Sequence, residues 1–327
     1  MTRTQVWTGR PLLPEALAVL DGLATISVSR PGEQADWLAE AAGSDAVVAG
    51  AEFFTEEALE RLGPRLRVVA RTGIGVDRID LAAATRRGIL ITNTPDGPTE
   101  STAEHAIALM LGLCKHVMAG DRILRAGNSF PVWGELRPGF ELAGAVLGLV
   151  GLGRIGSRVA EIARVLGMQV IAYDPFASPE RAGALHVELV SSLEELLPRA
   201  RVLSLHCPLL PETRKLINAD RVRLLPRGSY LINVARGGLI DEAALLDALR
   251  SGHLAGVALD VFDPEPPAAD HPFFTLPNTI CTPHIGSFTG AGLQRMQVMA
   301  CEQIAQVLRG ERPTNLVNIE VWDQPHR

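Results

Sequence analysis

The sequence predicts a two-domain α/β protein in which one parallel-sheet domain is inserted into another. Three observations carry this. Short apolar runs alternate with helical patterns twice, once before Asn93 and again after Ala145, and such alternation builds a parallel sheet covered on both faces. A Pro/Gly-rich break, Asn93-Thr94-Pro95-Asp96-Gly97-Pro98, separates the two series. The length of 327 residues fits two domains of about 100–200 residues each.

In chain order, residues 24–28 read as a strand, 33–42 as a helix and 46–48 as a strand. Residues 55–62 read as a helix capped by Thr55 ahead of Glu56 and Glu57. A strand at 66–70, a helix at 79–86 and a strand at 89–92 complete the first series. After the break a long helix is expected, with Ser101-x-x-Glu104 as a capping box. Ala103, Ile107 and Leu111 form its apolar stripe, with Ala106, Met110 and Cys114 beside it. The second series has strands at 146–150, 170–173, 202–207, 230–234, 257–262 and 279–281. Its helices span 155–166 and 241–250, the latter capped by Asp241. A last helix covers 290–308, and a polar tail follows. The expected boundaries are 98–287 for the inserted domain and 1–97 plus 288–327 for the flanking one.

Composition excludes several classes. Lys plus Arg is 31 and Asp plus Glu is 37, a net charge of −6, which is not the basic footprint of a nucleic-acid binder. Cys114, Cys207, Cys281 and Cys301 are scattered without a CxxC pair, which fits a reducing compartment and no zinc site. The first residues, Met1-Thr2-Arg3-Thr4-Gln5, lack the apolar run of a signal peptide. No run reaches the ~18 apolar residues of a membrane span. The expectation is a cytoplasmic protein without membrane or metal.

Gly151-Leu152-Gly153-Arg154-Ile155-Gly156 fits G-x-G-x-x-G, between an expected strand and an expected helix. Gly151 permits a tight turn, Gly153 lets a pyrophosphate approach the backbone, and Gly156 lets helix and strand pack closely. The helix N-terminus offers free N–H groups and a positive dipole end. Asp174 ends the next strand, placed to accept ribose hydroxyls and to repel a 2′-phosphate. NAD is therefore favoured over NADP.

Three further strand ends carry polar residues: Asn233-Val234-Ala235-Arg236-Gly237-Gly238, Asp260-Val261-Phe262-Asp263-Pro264-Glu265-Pro266 and Thr282-Pro283-His284-Ile285-Gly286. Open parallel sheets bind ligands there. Hydride exchange between a 2-keto and a 2-hydroxy acid needs a fixed cation, and Arg236 suits it. It needs a group titrating near neutrality, which His284 supplies. Glu265 beside the imidazole would stabilise its protonated form and orient it.

These motifs resemble the D-isomer-specific 2-hydroxyacid dehydrogenase family, especially its phosphoglycerate dehydrogenase-like branch. Arg71-Thr72-Gly73-Ile74-Gly75-Val76-Asp77, Ile91-Thr92-Asn93-Thr94-Pro95, Tyr173-Asp174-Pro175, Pro208-Leu209-Leu210-Pro211-Glu212-Thr213 and Leu259-Asp260-Val261-Phe262 extend the resemblance over nearly the whole chain. It implies a Rossmann-type dinucleotide-binding domain inserted into a flavodoxin-like substrate domain. It implies NAD as cofactor, Arg236 as the substrate-orienting arginine, His284 as the acid–base and Glu265 as its partner. Gly151, Gly153, Arg154, Ile155, Gly156 and Asp174 would contact the cofactor. Cys207, Val234 and Asp260 would line its nicotinamide half, with Asp260 holding the carboxamide, and Ala235 would also contact the cofactor. Arg71, Ile74 and Gly75 would bind substrate, the last two through backbone N–H groups. A homodimer through the cofactor domains is also implied; Trp133, in the loop before the fingerprint strand, is expected either at that interface or packed locally.

One departure bears on substrate. Where phosphoglycerate dehydrogenases usually carry basic residues, this chain has Gly50-Ala51-Glu52, and the chain stops soon after its last helix. Glu52 would repel a phosphate, so glyoxylate or hydroxypyruvate is at least as good an expectation as 3-phosphohydroxypyruvate. Of Phe53 and Phe54, one is expected in the core. Two rival readings stay open: a corepressor-like, NAD-binding scaffold without turnover, and a dehydrogenase of formate or phosphite.

Overall fold

A computed structural model describes residues 4–30, 36–127 and 138–323. The chain forms two compact units, Met1–Pro98 with Phe288–Arg327, and Thr99–Ser287.

The flanking unit contains β1 (Gln5–Thr8), α1 (Pro14–Leu20), β2 (Thr25–Val28), α2 (Trp37–Ala41), β3 (Ala46–Ala49), α3 (Glu56–Leu62), β4 (Val68–Arg71), α4 (Leu81–Arg86) and β5 (Leu90–Thr92). Its five strands pair in parallel in the order β2-β1-β3-β4-β5, the flavodoxin-like order. Successive residues face opposite cores: Val6, Val48 and Val68 lie on one side, Trp7, Val47 and Val69 on the other. Thr55 and Asp80 cap α3 and α4 by accepting from Ala58 N–H and Ala83 N–H. Phe54 is fully buried, and Phe53 is exposed under the Arg78 guanidinium.

The remainder of this unit comes from the far end of the chain. The last helix of the fold, Gly290–Leu308, packs Ala300, Cys301, Ile304 and Ala305 into the first of those cores. Gln303 donates to the Asn93 carbonyl at 2.9 Å. Asn318 accepts from Ile91 N–H at 2.8 Å and donates to the Ile89 carbonyl at 2.9 Å. These amides satisfy backbone groups along the edge strand β5.

The inserted unit opens with α5 (Thr99–Cys114) and α6 (Val117–Arg125). Then come β6 (Val146–Val150), α7 (Arg154–Val165), β7 (Gln169–Tyr173), α8 (Pro179–Ala184), β8 (Glu188–Leu189), α9 (Leu193–Leu196) and β9 (Val202–Leu205). It closes with α10 (Ala219–Leu224), β10 (Ser229–Asn233), α11 (Glu242–Arg250), β11 (Leu254–Leu259) and β12 (Thr279–Cys281). Its seven strands are all parallel, in the order β12-β11-β10-β9-β6-β7-β8. The order reverses between β6 and β9, the switch point of a Rossmann-type sheet. Every residue of β9 and β10 is buried, as strands covered on both faces require. The four cysteines are free.

The structure corrects several local expectations. Strand β1 and helix α1 precede the first strand expected. Helix α5 starts at Thr99, directly after Pro98, so Ser101 sits in its first turn and is not its cap. Cys207, Val234 and Phe262 lie just beyond their strands. No helix among the described residues is long and apolar enough to cross a membrane. Trp133 lies outside the described residues.

Candidate active site

The glycine turn joins β6 to α7. Gly151 has φ +97°, and a Cβ there would lie 2.8 Å from the His206 carbonyl carbon. A Cβ on Gly156 would strike the Gly151 carbonyl, so helix and turn can touch only through glycine. Gly153 is different: a Cβ there would meet nothing within 4 Å. Gly153 is also the N-cap of α7 and gives it no side-chain bond. An open approach thus leads to an uncapped helix N-terminus, the setting that suits a pyrophosphate. Arg154 is exposed beside it and Ile155 half-buried. Asp174, just past β7, accepts from Leu152 N–H at 2.8 Å and from Phe176 N–H at 2.9 Å. The Phe176 ring beyond it is 92% exposed, an apolar surface that sequence reasoning missed.

Beneath the turn lies His206. Its Nε2 is 2.8 Å from Ser204 Oγ, and its buried Nδ1 has no hydrogen-bond partner among the described residues. Burial pushes its pKa from 6.5 down to about 4. The unfolded chain therefore takes up a proton near pH 6.5 that the folded chain refuses until about pH 4. Stability contributed by the neutral imidazole is present above pH 6.5 and is lost as pH falls, by roughly 3 kcal/mol over the full interval. Urea unfolding between pH 7 and 4.5 should show a steeper loss in wild type than in His206→Gln. Equal losses would clear His206 as the source. The neighbouring Cys207 thiol is raised to about 11 by burial and stays protonated at neutral pH.

The turn after β10 is built by Asn233, which is fully buried. Its side chain accepts from Ala235 N–H at 3.0 Å and donates to the Arg236 carbonyl at 2.8 Å. This holds half-buried Arg236 in an extended conformation just past the strand, with Nη1 donating to the Ala235 carbonyl at 2.7 Å. The next residue, Gly237, presses on the Phe262–Asp263 backbone so closely that a Cβ would overlap it.

The segment after β11 brings Glu265 to His284. Glu265 Oε1 accepts from Phe262 N–H at 3.1 Å, and Oε2 lies 2.9 Å from His284 Nδ1. The imidazole is 43% exposed and its carboxylate partner 19%. His284 has φ +55°, a left-handed conformation that a non-glycine residue adopts only when its surroundings hold it. The hold comes from Asp260. Its backbone carbonyl accepts from His284 N–H at 2.8 Å. Its carboxylate accepts from Thr282 Oγ1 at 2.6 Å, Ile285 N–H at 2.9 Å and Gly286 N–H at 2.8 Å. Burial pushes the Asp260 pKa up, but hydrogen bonds from His105, Thr282 and Ile285 N–H hold it below the usual carboxylate range. The carboxylate expected to hold a carboxamide is thus engaged by its own chain.

In the flanking unit, Arg71 ends β4 and its guanidinium reaches the Ala49 and Thr72 carbonyls. Asn93 Nδ2 donates to the Ile74 carbonyl at 2.8 Å. Glu52 follows β3, and its carboxylate accepts from Gly50 N–H at 2.6 Å. Among the described residues no group of His, Cys, Asp and Glu is placed to hold a metal ion.

Residues 107–286 match the family model described as D-isomer specific 2-hydroxyacid dehydrogenase, NAD binding domain. The chain is 39% identical over 311 residues to the D-3-phosphoglycerate dehydrogenase of Methanocaldococcus jannaschii, covering 94% of this chain and 58% of that one. It is 39% identical over 332 residues to the glyoxylate reductase of Aeropyrum pernix, covering 98% of each. The crystal structure of a Thermus thermophilus protein, 39% identical, superposes with a TM-score of 0.87 over 96% of this chain and 100% of that one. The chain therefore spans little more than half of the phosphoglycerate dehydrogenase and nearly all of the glyoxylate reductase. It belongs to the D-isomer specific 2-hydroxyacid dehydrogenase family, and residues 107–286 are that family's NAD binding domain.

Proposed function

We propose that the chain is an NAD-dependent dehydrogenase interconverting a small, unphosphorylated 2-keto acid and its D-2-hydroxy acid. The observation that carries this is the 2.9 Å pair of His284 Nδ1 and Glu265 Oε2 at the strand ends of the NAD binding domain. The names of the two relatives, glyoxylate reductase and D-3-phosphoglycerate dehydrogenase, support 2-keto acid chemistry.

In this reading Gly151, Gly153, Arg154, Ile155 and Gly156 receive the pyrophosphate, and Asp174 the ribose. Phe176 gives the adenine an apolar face. Cys207, Val234 and Ala235 line the nicotinamide half, while Asp260 braces the turn that carries His284. Bound NADH supplies the hydride. Glu265 is fixed at one oxygen by Phe262 N–H, so its other oxygen takes the Nδ1 proton of His284. That pairing leaves Nε2 to give or take the hydroxyl proton. Arg236 orients the keto acid, and the Ile74 and Gly75 N–H groups with Arg71 receive its carboxylate. A homodimer through the cofactor domains belongs to the same reading.

Glu52 supports the unphosphorylated choice. It stands at the C-terminal edge of the flanking sheet, where parallel sheets take their ligands, and it is an acid. NADH oxidation at 340 nm, run against glyoxylate, hydroxypyruvate, pyruvate and 3-phosphohydroxypyruvate, tests both parts. The first three should turn over better than the last. Glu52→Gln should raise kcat/KM for the phosphorylated acid about fivefold, the equivalent of the ~1 kcal/mol of one charge pair near water. It should leave hydroxypyruvate unchanged. Silence across the panel would sink the dehydrogenase reading, and a preference for the phosphorylated acid would sink the role of Glu52.

A further inference from the structure

Helix α5 carries an imidazole that this chemistry leaves unused. His105 Nε2 lies 3.1 Å from Thr282 Oγ1 and 3.3 Å from Asp260 Oδ1. Thr282 Oγ1 is itself 2.6 Å from Asp260 Oδ1. A hydroxyl has one proton and a carboxylate has none. The Thr282 proton goes to Asp260, so the hydrogen that joins His105 to the pair comes from Nε2. The geometry thereby selects the form of His105 that carries a proton on Nε2.

The cluster is enclosed. The Asp260 side chain is 1% exposed and that of His105 18%. The ring also backs the end of the His284 turn: a Cβ on Gly286 would lie 3.6 Å from His105 Cδ2. A carboxylate removed from water needs a full set of donors. His105 completes that set for Asp260, the residue that takes the N–H groups of His284, Ile285 and Gly286.

We propose that His105 is a positioning residue for His284, acting through Thr282 and Asp260 to hold the left-handed turn at 284. The inference rests on the reading of His284 as the acid–base group. A sequence separation of 177 residues between His105 and Thr282 hides the link from any local motif.

Steady-state kinetics and imidazole NMR on the full chain test it together. His105→Leu removes the Nε2 donor, and His105→Gln places an amide N–H near the same point. His105→Leu should lower kcat roughly 10²-fold, the scale of a 1 Å displacement at a reacting group. The KM for the keto acid and the Kd for NADH should stay at wild-type values. His105→Gln should recover most of the loss. The His284 imidazole resonances should shift in His105→Leu and return in His105→Gln. Thr282→Val should reproduce the defect and Thr282→Ser should not, which decides the matter if His105→Leu fails to fold. Unmoved His284 resonances, an unchanged kcat, or a loss that His105→Gln does not relieve would overturn the proposal. If wild type turns over no keto acid, the dehydrogenase reading fails, while the His284 resonances still decide whether His105 positions that ring.

Discussion

His284→Ala should lower kcat about 10²–10⁴-fold, the usual worth of a positioned general acid or base. NADH should bind as before, because no cofactor contact is assigned to that ring. Turnover should not vanish, since hydride donation and the orienting work of Arg236 survive. Glu265→Gln should cost less: an amide can still accept from His284 Nδ1 but no longer stabilises an imidazolium. Both effects are read from initial rates at saturating NADH, with cofactor binding followed separately by fluorescence. A His284→Ala enzyme with unaltered kcat would mean that another group moves the proton.

Gly237→Ala should be the most damaging small substitution in the inserted unit. The added Cβ would overlap the Phe262 carbonyl group and the Asp263 nitrogen. Those atoms are backbone, so they cannot swing aside as a side chain would. Overpacking of this kind costs about 1–3 kcal/mol and sometimes more, and the upper end is expected here. The strain falls between the turn that carries Arg236 and the segment that carries Glu265. A lower Tm should therefore come with a fall in kcat of roughly 10²-fold. Gly153→Ala is the contrasting case, because its Cβ meets open space. It should melt like wild type and lose NADH affinity. A Gly237→Ala protein with wild-type Tm and rate would show that the two segments have slack.

Much of this was legible locally. The glycine turn and Asp174 follow their strands directly, and Arg236, Glu265 and His284 lie within six residues of theirs, so strand pattern and polar residue sit close together in the sequence. Strand β1 was not legible. Its four residues hold only two apolar side chains, Val6 and Trp7, between the polar ends Gln5 and Thr8, too short an apolar run to read as a strand. The Ser101 pattern misled because Pro98 lets the helix begin one turn earlier than a serine cap would. Asn233 could have been found, since an asparagine at a strand end before Ala235 and Arg236 is a turn-builder. The burial of Asp260 and the approach of His105 are tertiary facts, and no spacing rule reports them.

The flanking unit is assembled from the two ends of the chain, and this orders events at the ribosome. Its sheet cannot close one face until Ala300, Cys301 and Ile304 arrive. Its edge strand waits for Asn318. The inserted unit, Thr99–Ser287, needs nothing from outside its own stretch to complete its sheet. At about 5–20 residues per second, its synthesis keeps the N-terminal strands waiting for roughly 10–40 s. At the end of that interval the nascent chain carries a complete inserted unit beside a flanking sheet with one open apolar face. One face of the strands between residues 5 and 92 thus stays uncovered until the helix Gly290–Leu308 has been made.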